Sequence, residues 1–311
     1  MNIKNNMIIR SLSFVFSSMK RKLCNSHNGD FEPLDIRRGN TLTSNEYMYA
    51  FKLHRRHVWL AKYSNQLEFT IRTLLTEKQC RNLFSKMLKE FVYVDRDTCH
   101  QKVLRVVHQI ENVWKCDKNT TVIIAAKKVE NGHPDGSNVF LYNLQSELKT
   151  WKTNRFISSF NLKNKRVNNS ENIIICDDFI GSGETIEKRI DDLYAEFKGK
   201  KRIYIVSLGA MDISKKRISK YDNIAVFSSI WLSRILNHDQ DSQERNIMLG
   251  MENLLAFKYK EYELNTMSLG YKESGALYYN EEYRIPNNVY PIFWWGKLSG
   301  GEDFNSIFLR S

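Results

Sequence analysis

Ile173-Ile174-Ile175-Cys176-Asp177-Asp178-Phe179-Ile180-Gly181-Ser182-Gly183-Glu184-Thr185 is the stretch that decides the fold of this 311-residue chain. Its apolar, β-branched start predicts a buried strand that ends at Cys176. Two carboxylates and a short loop with two glycines and two hydroxyls separate this strand from a helical pattern. Free backbone amides at the start of a helix favour a phosphate, and carboxylates suit sugar hydroxyls. The stretch therefore predicts a strand, a turn that binds a sugar phosphate, and a helix.

Strands and helices alternate on both sides of this stretch. Short apolar runs rich in β-branched residues predict strands at 121–126, 172–176, 201–211 and 223–230. Apolar residues at helical spacing predict helices at 139–150, 186–197 and 243–259. Such alternation is typical of an α/β fold with a mostly parallel sheet, in which ligands lie beyond the carboxyl ends of the strands. We therefore expect residues 177–185 at that edge of the sheet.

The remaining segments differ from this α/β region. Residues 1–44 are basic and are expected to be poorly ordered, whereas apolar stripes predict a helical region over residues 45–118. The α/β domain is expected to span residues 119–311 and to include an irregular aromatic C-terminal segment at 270–296. Aromatic side chains in such a segment either stack on a planar ligand or plug a core. We expect packing of Trp294 and Trp295.

Charge and cysteine usage narrow the partners. The formal net charge of +12 favours anions such as nucleotides, phosphorylated sugars or nucleic acid. The basic residues concentrate in 149–166 and 198–220, which are either nucleic-acid-binding surfaces or solvated faces. The five cysteines stand singly, without a disulfide or zinc spacing, which is typical of a cytoplasmic protein. No run approaches the length of a membrane span, so we expect no membrane association. Because the cysteines lack metal-ligand spacing, we also expect no metal site formed by the protein alone.

Three kinds of phosphate loop compete for the turn. A Walker loop requires lysine directly after its last glycine, where this chain has Glu184. A dinucleotide fingerprint requires a third glycine where Ile186 stands, and it has no acid pair ahead of it. The remaining kind places two adjacent acids before a hydroxyl-Gly-x-Thr loop.

That third pattern resembles the phosphoribosyl-pyrophosphate (PRPP) motif of type I phosphoribosyltransferases. The motif consists of four apolar residues, two acids, two or three variable residues and Thr-Gly-x-Thr. Here Ser182 replaces the usual threonine and keeps its hydroxyl, and Cys176 fills the last apolar position. The resemblance is specific over 173–185 and extends loosely over 120–235. It implies a sheet of the phosphoribosyltransferase type and a glycosyltransferase-like enzyme that binds PRPP or another nucleotide and acts at the anomeric carbon.

The resemblance also assigns roles to residues. In that family the acid pair holds the ribose and supports a cation-like transition state, which implies catalytic roles for Asp177 and Asp178. The loop holds the 5′-phosphate, a role that falls to Gly181, Ser182, Gly183, Glu184 and Thr185. Pyrophosphate is held after the first strand, where the candidates are Lys127, Lys128 and Ser137. Mg²⁺ bound with PRPP is implied as well, and so is a homodimer.

A second resemblance concerns the rest of the chain. The helical N-terminal region, Ser274-Gly275-Ala276-Leu277 and Pro286-Asn287-Asn288 are similar to a divergent bacterial group of phosphoribosyltransferase-like proteins associated with anti-phage and other conflict systems. It implies an effector of antiviral defence with a defence-system partner protein. Two alternatives stay open: a non-catalytic nucleotide sensor on the same fold, and a nucleic-acid-binding protein whose phosphate loop is incidental.

Overall fold

The computed structural model describes residues 42–127, 135–239, 242–308 and 310. These residues belong to one compact unit. The poorly ordered start expected at 1–44 lies almost wholly outside the described residues. None of the described helices combines the length and the apolar character needed to cross a bilayer.

The first part of the described chain is mostly helical, as expected. Its four helices are α1 (Ser44–Arg56), α2 (Ser64–Thr73), α3 (Lys78–Lys89) and α4 (Arg96–His108). The side chains of Thr43 and Glu46 form a capping box that satisfies free amides at the start of α1. A strand that the sequence pattern did not predict, β1 (Val92–Val94), lies between α3 and α4.

A five-stranded parallel sheet forms the centre of the structure and confirms the predicted fold class. Its strands are β2 (Thr121–Ala125), β3 (Phe156–Ile157), β4 (Asn172–Ile180), β5 (Arg202–Met211) and β6 (Ile224–Leu232). Their order across the sheet is β3-β2-β4-β5-β6, and every neighbouring pair is parallel. The strand with the acid pair therefore lies in the middle, between β2 and β5.

The predicted end of the central strand is wrong. β4 does not stop at Cys176 but runs to Ile180, because Asp177 pairs with Ser207 of β5 and Phe179 pairs with Gly209. Gly209 leaves room for the Phe179 ring, which stacks on Tyr278 at 4.8 Å between centroids. Contacts beyond the strand therefore extend it past the apolar run, and the acid pair lies within the strand.

Helices cover both faces of the sheet. They are α5 (Gly136–Glu147), α6 (Lys165–Asn168), α7 (Glu184–Phe197) and α8 (Asp212–Ile218), together with α4 of the helical region, whereas α9 (Gln243–Glu252) packs against α3. Alternate side chains of a strand point to opposite faces. Ile173 and Ile175 accordingly pack with α7, while Ile174 and Cys176 join the larger core with the N-terminal helices and the C-terminal segment.

The chain after α9 is irregular. Its elements are β7 (Lys258–Tyr259), β8 (Tyr262–Glu263), α10 (Leu264–Met267) and β9 (Tyr278–Asn280). The helix predicted over 243–259 is wrong in its second half, since α9 ends at Glu252 and β7 pairs with β8 in an antiparallel hairpin. β9 pairs in parallel with β1, which ties the end of the chain to the helical region.

Trp294 and Trp295 are both fully buried, which confirms their predicted packing role. Each indole also donates a hydrogen bond to a backbone carbonyl, from Trp294 Nε1 to Val289 at 2.9 Å and from Trp295 Nε1 to Ala256 at 3.0 Å. The aromatic C-terminal segment is therefore part of the core.

We expect Trp294→Ala to lower the free energy of unfolding by about 3–5 kcal/mol, because it empties a large buried volume. Tyr142→Ala is the matched control, since Tyr142 is 57% exposed and should change stability by no more than about 0.5 kcal/mol. Urea unfolding followed by circular dichroism measures both. A loss below about 1 kcal/mol for Trp294→Ala would contradict a core role.

Candidate functional site

The acid pair lies near the carboxyl end of β4, in the centre of the sheet. Asp177 is buried, with 4% of its surface exposed, and Asp178 is half-buried. Among the described residues, none donates a hydrogen bond to Asp177 Oδ1. A buried carboxylate oxygen without a donor is costly, so a ligand hydroxyl that donates to it would relieve that cost.

Burial and mutual repulsion set the electrostatics of the pair. Burial raises the pKa of Asp177 well above its usual range, and the adjacent charge of Asp178 raises it further. Burial also raises the pKa of Asp178, although the nearby Lys127 ammonium opposes the shift. Both carboxyls therefore resist ionisation, and a group that donates hydrogen bonds or carries positive charge would stabilise their charged forms.

Lys127, at the end of β2, supplies the positive charge. Its Nζ lies 3.6 Å from Asp135 Oδ2, and the side chain is half exposed. Burial lowers the pKa of Lys127, but the charges of Asp177, Asp178 and Asp135 outweigh this and raise it. The structure thus brings Lys127 beside the acid pair, as the pyrophosphate assignment requires.

The other two pyrophosphate candidates have different positions. Ser137 is fully buried in the first turn of α5, where its hydroxyl donates to Asp135 Oδ1 at 2.7 Å. Asp135 also caps α5 by accepting from the Asn138 amide at 3.2 Å. Ser137 therefore connects the start of α5 to Asp135 and, through a 3.4 Å hydrogen bond from the Lys127 amide, to the residues after β2. Lys128 lies outside the described residues.

Gly136 allows the start of α5 to approach Asp178. A Cβ at Gly136 would fall well under 3.0 Å from the carboxylate of Asp178, closer than real side chains approach. The contact fixes the position of Asp178 relative to α5, and only glycine fits there.

The turn after β4 is the glycine loop, residues 181–183, which leads directly into α7. Gly183 has a φ of 82°, in the left-handed region that glycine adopts without strain. The Ser182 hydroxyl accepts from the Glu184 amide at a long 3.4 Å. α7 is fourteen residues long, and the first turn of such a helix has free amides and a positive dipole end.

Glu184 points away from the loop it follows. Its Oε2 accepts a hydrogen bond from the Tyr271 hydroxyl at 3.2 Å and lies 3.9 Å from Lys272 Nζ. These contacts engage the Glu184 carboxylate, while Glu184 itself lines the cavity above the loop. The carboxylate instead tethers a distant part of the chain.

That distant part is the C-terminal strap, residues 269–290, which crosses over the glycine loop. A Cβ at Gly181 would fall on the side chain of Asn288, so the two segments touch where only glycine fits. Asn288 Nδ2 donates to Ser274 Oγ at 3.0 Å and to the Tyr271 carbonyl at 3.4 Å. The strap is therefore cross-linked internally as well as packed on the loop.

A cavity of about 110 Å³ lies between the loop and the strap. Its floor includes Lys127, Asp177 and residues 179–186, and its roof includes Tyr271, Asn287 and Asn288. Such a volume exceeds that of one water several-fold and suits a phosphate group. Asp177, Gly181, Ser182, Gly183, Glu184 and Thr185 all line this one cavity.

A buried acid, Glu252, holds the start of the strap. Its carboxylate accepts from the Ser268 hydroxyl at 2.5 Å and from the Leu269 amide at 3.0 Å. Burial raises its pKa to about 7 despite these two donors. Arg245 holds the next turn through two hydrogen bonds to Glu273, at 3.0 and 3.1 Å.

A second cavity, of about 310 Å³, has an aromatic and charged lining: Tyr279, Glu281, Glu282, Tyr283, Arg284, Ile285, Phe308 and Arg310. Tyr279 and Phe308 stack with their centroids 4.1 Å apart. Burial lowers the pKa of Arg310, and nearby negative charges, including Asp178, oppose that shift. Asp178 also raises the pKa of Tyr283, after burial. The field of Asp178 thus reaches this cavity.

The basic stretch 198–220 lies partly at the opposite end of the sheet. Lys200, Lys201 and Arg202 line a groove of about 570 Å³ at the start of β5. Other basic residues of the stretch are paired with acids: Arg217 and Lys220 both contact Glu187.

Sequence reasoning missed the strap and the α5 cap as parts of the site. Asp135 could have been found, because Asp three residues before the Asn138 amide is a helix-start signal. Tyr271 and Asn287 offered no local signal, since only the tertiary fold places them above the loop. In the described part of the chain, no three metal-ligating side chains cluster.

The family comparison agrees with this arrangement. The model of the PRTase-CE family matches residues 59–310, and the chain belongs to this family. The predicted membership of a phosphoribosyltransferase-like group, with a sheet of that type, is thereby confirmed. No functionally curated protein matches the chain.

Several solved phosphoribosyltransferases are similar over about half of the chain. The Helicobacter pylori xanthine-guanine-hypoxanthine enzyme is 14% identical, with 45% of this chain and 92% of that chain covered and a TM-score of 0.30. A hypoxanthine-guanine-xanthine enzyme is 17% identical, with 51% and 92% covered and a TM-score of 0.32. The Aeropyrum pernix orotate enzyme is 11% identical, with 51% and 74% covered and a TM-score of 0.29. Likeness this low carries no substrate over to this chain.

We expect Gly136→Ala to lower the free energy of unfolding by about 1–3 kcal/mol, because the new methyl group collides with Asp178. Gly250→Ala is the matched control, since a Cβ there meets open space within α9 and should stabilise the helix by about 0.5–1 kcal/mol. Adding Asp178→Ala to Gly136→Ala should recover part of the loss. Chemical denaturation measures all of them, and additive losses would rule out the contact.

The pKa of Glu252 predicts a pH dependence of stability. Because its folded-state pKa is raised from 4.5 to about 7, its contribution is fully present below pH 4.5 and is lost as the pH rises through about 7. The shift corresponds to about 3 kcal/mol. Glu252→Gln should flatten the decline in unfolding free energy between pH 5 and 8, whereas Glu196→Gln, on the exposed face of α7, should not. Parallel profiles for the native protein and Glu252→Gln would refute the assignment.

Proposed function

We propose that this protein binds PRPP or a nucleotide that bears a ribose 5-phosphate, and acts at the anomeric carbon by transfer or cleavage. One observation carries the proposal: Asp177, which has a buried oxygen without a donor among the described residues, lines a single cavity together with Lys127, the glycine loop and the start of α7, and Asp178 lies next to Asp177 in β4. Membership in the PRTase-CE family supports it.

Different residues would bind the ribose and the 5′-phosphate of the ligand. Asp177 and Asp178 would accept hydrogen bonds from the ribose hydroxyls, while the backbone of residues 181–185 and the Ser182 and Thr185 hydroxyls would hold the 5′-phosphate. In transfer, the bond from the anomeric carbon to the pyrophosphate oxygen breaks and pyrophosphate leaves with the electron pair. The acceptor atom forms the new bond and gives up its proton. The acid pair stabilises the positive charge that develops on the ribose.

Lys127 and Mg²⁺ would serve the pyrophosphate. The oxygens of Asp177 and Asp178 are ligands of the kind that Mg²⁺ accepts, and Mg²⁺ is commonly held by few carboxylates together with phosphate oxygens. The unpartnered Asp177 Oδ1 fits this use. Bound Mg²⁺ would neutralise charge on the pyrophosphate.

The second cavity is our candidate acceptor site. The Tyr279–Phe308 stack offers an aromatic wall, and Arg284, Arg310, Glu281 and Glu282 provide donors and acceptors at its rim. A planar acceptor stacked there would lie within the field of Asp178.

The wider biological setting belongs to the same proposal. The sequence resemblance supports an antiviral effector role with a defence-system partner, and it supports a homodimer. The cysteine usage supports a cytoplasmic location. A non-catalytic sensor is the second candidate, favoured by the strap, which encloses a cavity of only about 110 Å³. A nucleic-acid-binding role is favoured by the groove lined by Lys200, Lys201 and Arg202.

We expect isothermal titration calorimetry to detect binding of PRPP with Mg²⁺ to the full chain. Asp178→Asn should weaken it by about tenfold to a hundredfold, because it removes a charged hydrogen-bond acceptor. Asp222→Asn, an exposed substitution of the same kind, is the control. The fold should survive Asp178→Asn, since removing one of two adjacent buried charges relieves repulsion.

The outcomes separate the candidates. No heat with the native protein, or equal affinities for native and Asp178→Asn proteins, would refute the ligand assignment. Binding without pyrophosphate release, with any base or nucleotide supplied, would favour the sensor. Salt-dependent DNA or RNA binding that survives loss of both Asp177 and Asp178 would favour the nucleic-acid role.

A further inference from the structure

The C-terminal strap forms one wall of the cavity above the glycine loop. Tyr271, Asn287 and Asn288 face the loop and Asp177 across a space of about 110 Å³. A phosphate on the loop would therefore be enclosed by side chains from two segments that lie far apart in the sequence. The strap lies outside the stretch that resembles the PRPP motif.

Among these three strap residues, Asn287 has an uncommitted polar side chain. The Tyr271 hydroxyl donates to Glu184, and Asn288 Nδ2 donates to Ser274 and to the Tyr271 carbonyl. Asn287 uses its backbone carbonyl, which accepts from the Tyr271 amide at 2.9 Å. Within the described residues, its half-buried carboxamide makes no hydrogen bond. A carboxamide can donate to phosphate oxygens and accept from a ribose hydroxyl.

The strap holds Asn287 in place with a backbone that needs support. Leu269, Lys272 and Glu273 have φ values of 57°, 56° and 52°, in the left-handed region that side chains other than glycine rarely adopt. Such conformations persist where the surroundings impose them, and they cluster at functional sites. Here Glu252 binds the Leu269 amide and Arg245 binds Glu273. The result is a rigid turn that places Tyr271 and Asn287 over the loop.

Glu184 links the loop to this turn. A carboxylate beside a bound phosphate would repel it, but Tyr271 and Lys272 hold the Glu184 side chain on the strap. This position accounts for an acid in the middle of a phosphate loop. It also means that the strap and the loop depend on each other for their placement.

We propose that Asn287 is a further ligand-binding residue, which contacts the 5′-phosphate or an adjacent ribose hydroxyl, and that Glu184 is a positioning residue, which sets the strap through Tyr271. This rests on the proposed function and extends the site beyond its motif. The binding site is thus composite, with a floor from the glycine loop and a roof from the strap.

Titration of the full chain with ribose 5-phosphate tests the role of Asn287. Asn287→Asp, which places a negative charge opposite the phosphate, should weaken binding by at least about tenfold, and Asn287→Ala by about three- to tenfold. Asn265→Asp, an exposed change of the same kind on α10, should bind as the native protein does. Thermal melting confirms that each variant is folded. If Asn287→Asp is not folded, Asn287→Ala decides the test.

Failure of this inference differs from failure of the proposed function. If the native protein binds ribose 5-phosphate and Asp178→Asn weakens it, the proposed function stands. Unchanged affinity in both Asn287 variants then overturns the strap contact alone. If the native protein binds neither PRPP with Mg²⁺ nor ribose 5-phosphate, the proposed function fails, and with it this extension.

Glu184 is tested by comparing removal with conservative replacement. Glu184→Ala should weaken ribose 5-phosphate binding about three- to tenfold by freeing Tyr271, and Glu184→Gln, which retains a hydrogen-bond acceptor, should restore it. If the Glu184 carboxylate faced the phosphate directly, Glu184→Ala and Glu184→Gln would both strengthen binding, because each removes a repelling charge. Stronger or unchanged binding in Glu184→Ala would overturn the positioning role.

Discussion

The structure depends on two adjacent carboxylates held near the end of a buried strand. Burial raises the pKa of both Asp177 and Asp178, and the charge of Asp178 raises that of Asp177 further. The Lys127 ammonium is the nearby positive charge that opposes these shifts. In the described part of the chain, one oxygen of Asp177 has no hydrogen-bond donor. An arrangement with such an incomplete set of partners is poorly suited to a purely structural role. It is suited to a ligand that brings hydroxyl groups, a metal ion or a developing positive charge.

The arrangement around the pair follows from where the chain must approach it. Gly136 brings the end of the β2 connection against Asp178, and Gly181 brings the strap against the turn after β4. Both contacts use the missing Cβ, so two remote segments pack closely against the end of β4 and the turn after it. Glu184 adds a tether between the turn and the strap. The site is therefore built by close backbone approach as much as by its charged groups.

Local sequence patterns predicted the parallel sheet and the helix after the turn, because each depends on periodicity or on neighbouring residues. They did not predict the extension of β4 to Ile180, which depends on pairing with β5 and on room left by Gly209. They also misjudged residues 253–259, where a helical pattern gives way to a hairpin strand. Tyr271 and Asn287 could not be found from spacing, since their role arises from a strap whose backbone is bent into left-handed conformations. Glu184 shows the limit of a motif: its place in the loop suggested a phosphate contact, whereas its side chain serves the strap.

The parallel pairing of β1 with β9 has a consequence for synthesis of the protein. Val92 pairs with Tyr278, so the helical region cannot complete its edge until the ribosome has made the chain through β9. Contacts of such large sequence separation form late and slowly. A chain released before Asn280 would contain the acid pair and the glycine loop yet lack Asn287 and Asn288 of the cavity roof. Completion of the ligand site is therefore tied to synthesis of the C-terminal strap, and products that end before it would expose apolar surface that invites degradation rather than act as partial versions of the protein.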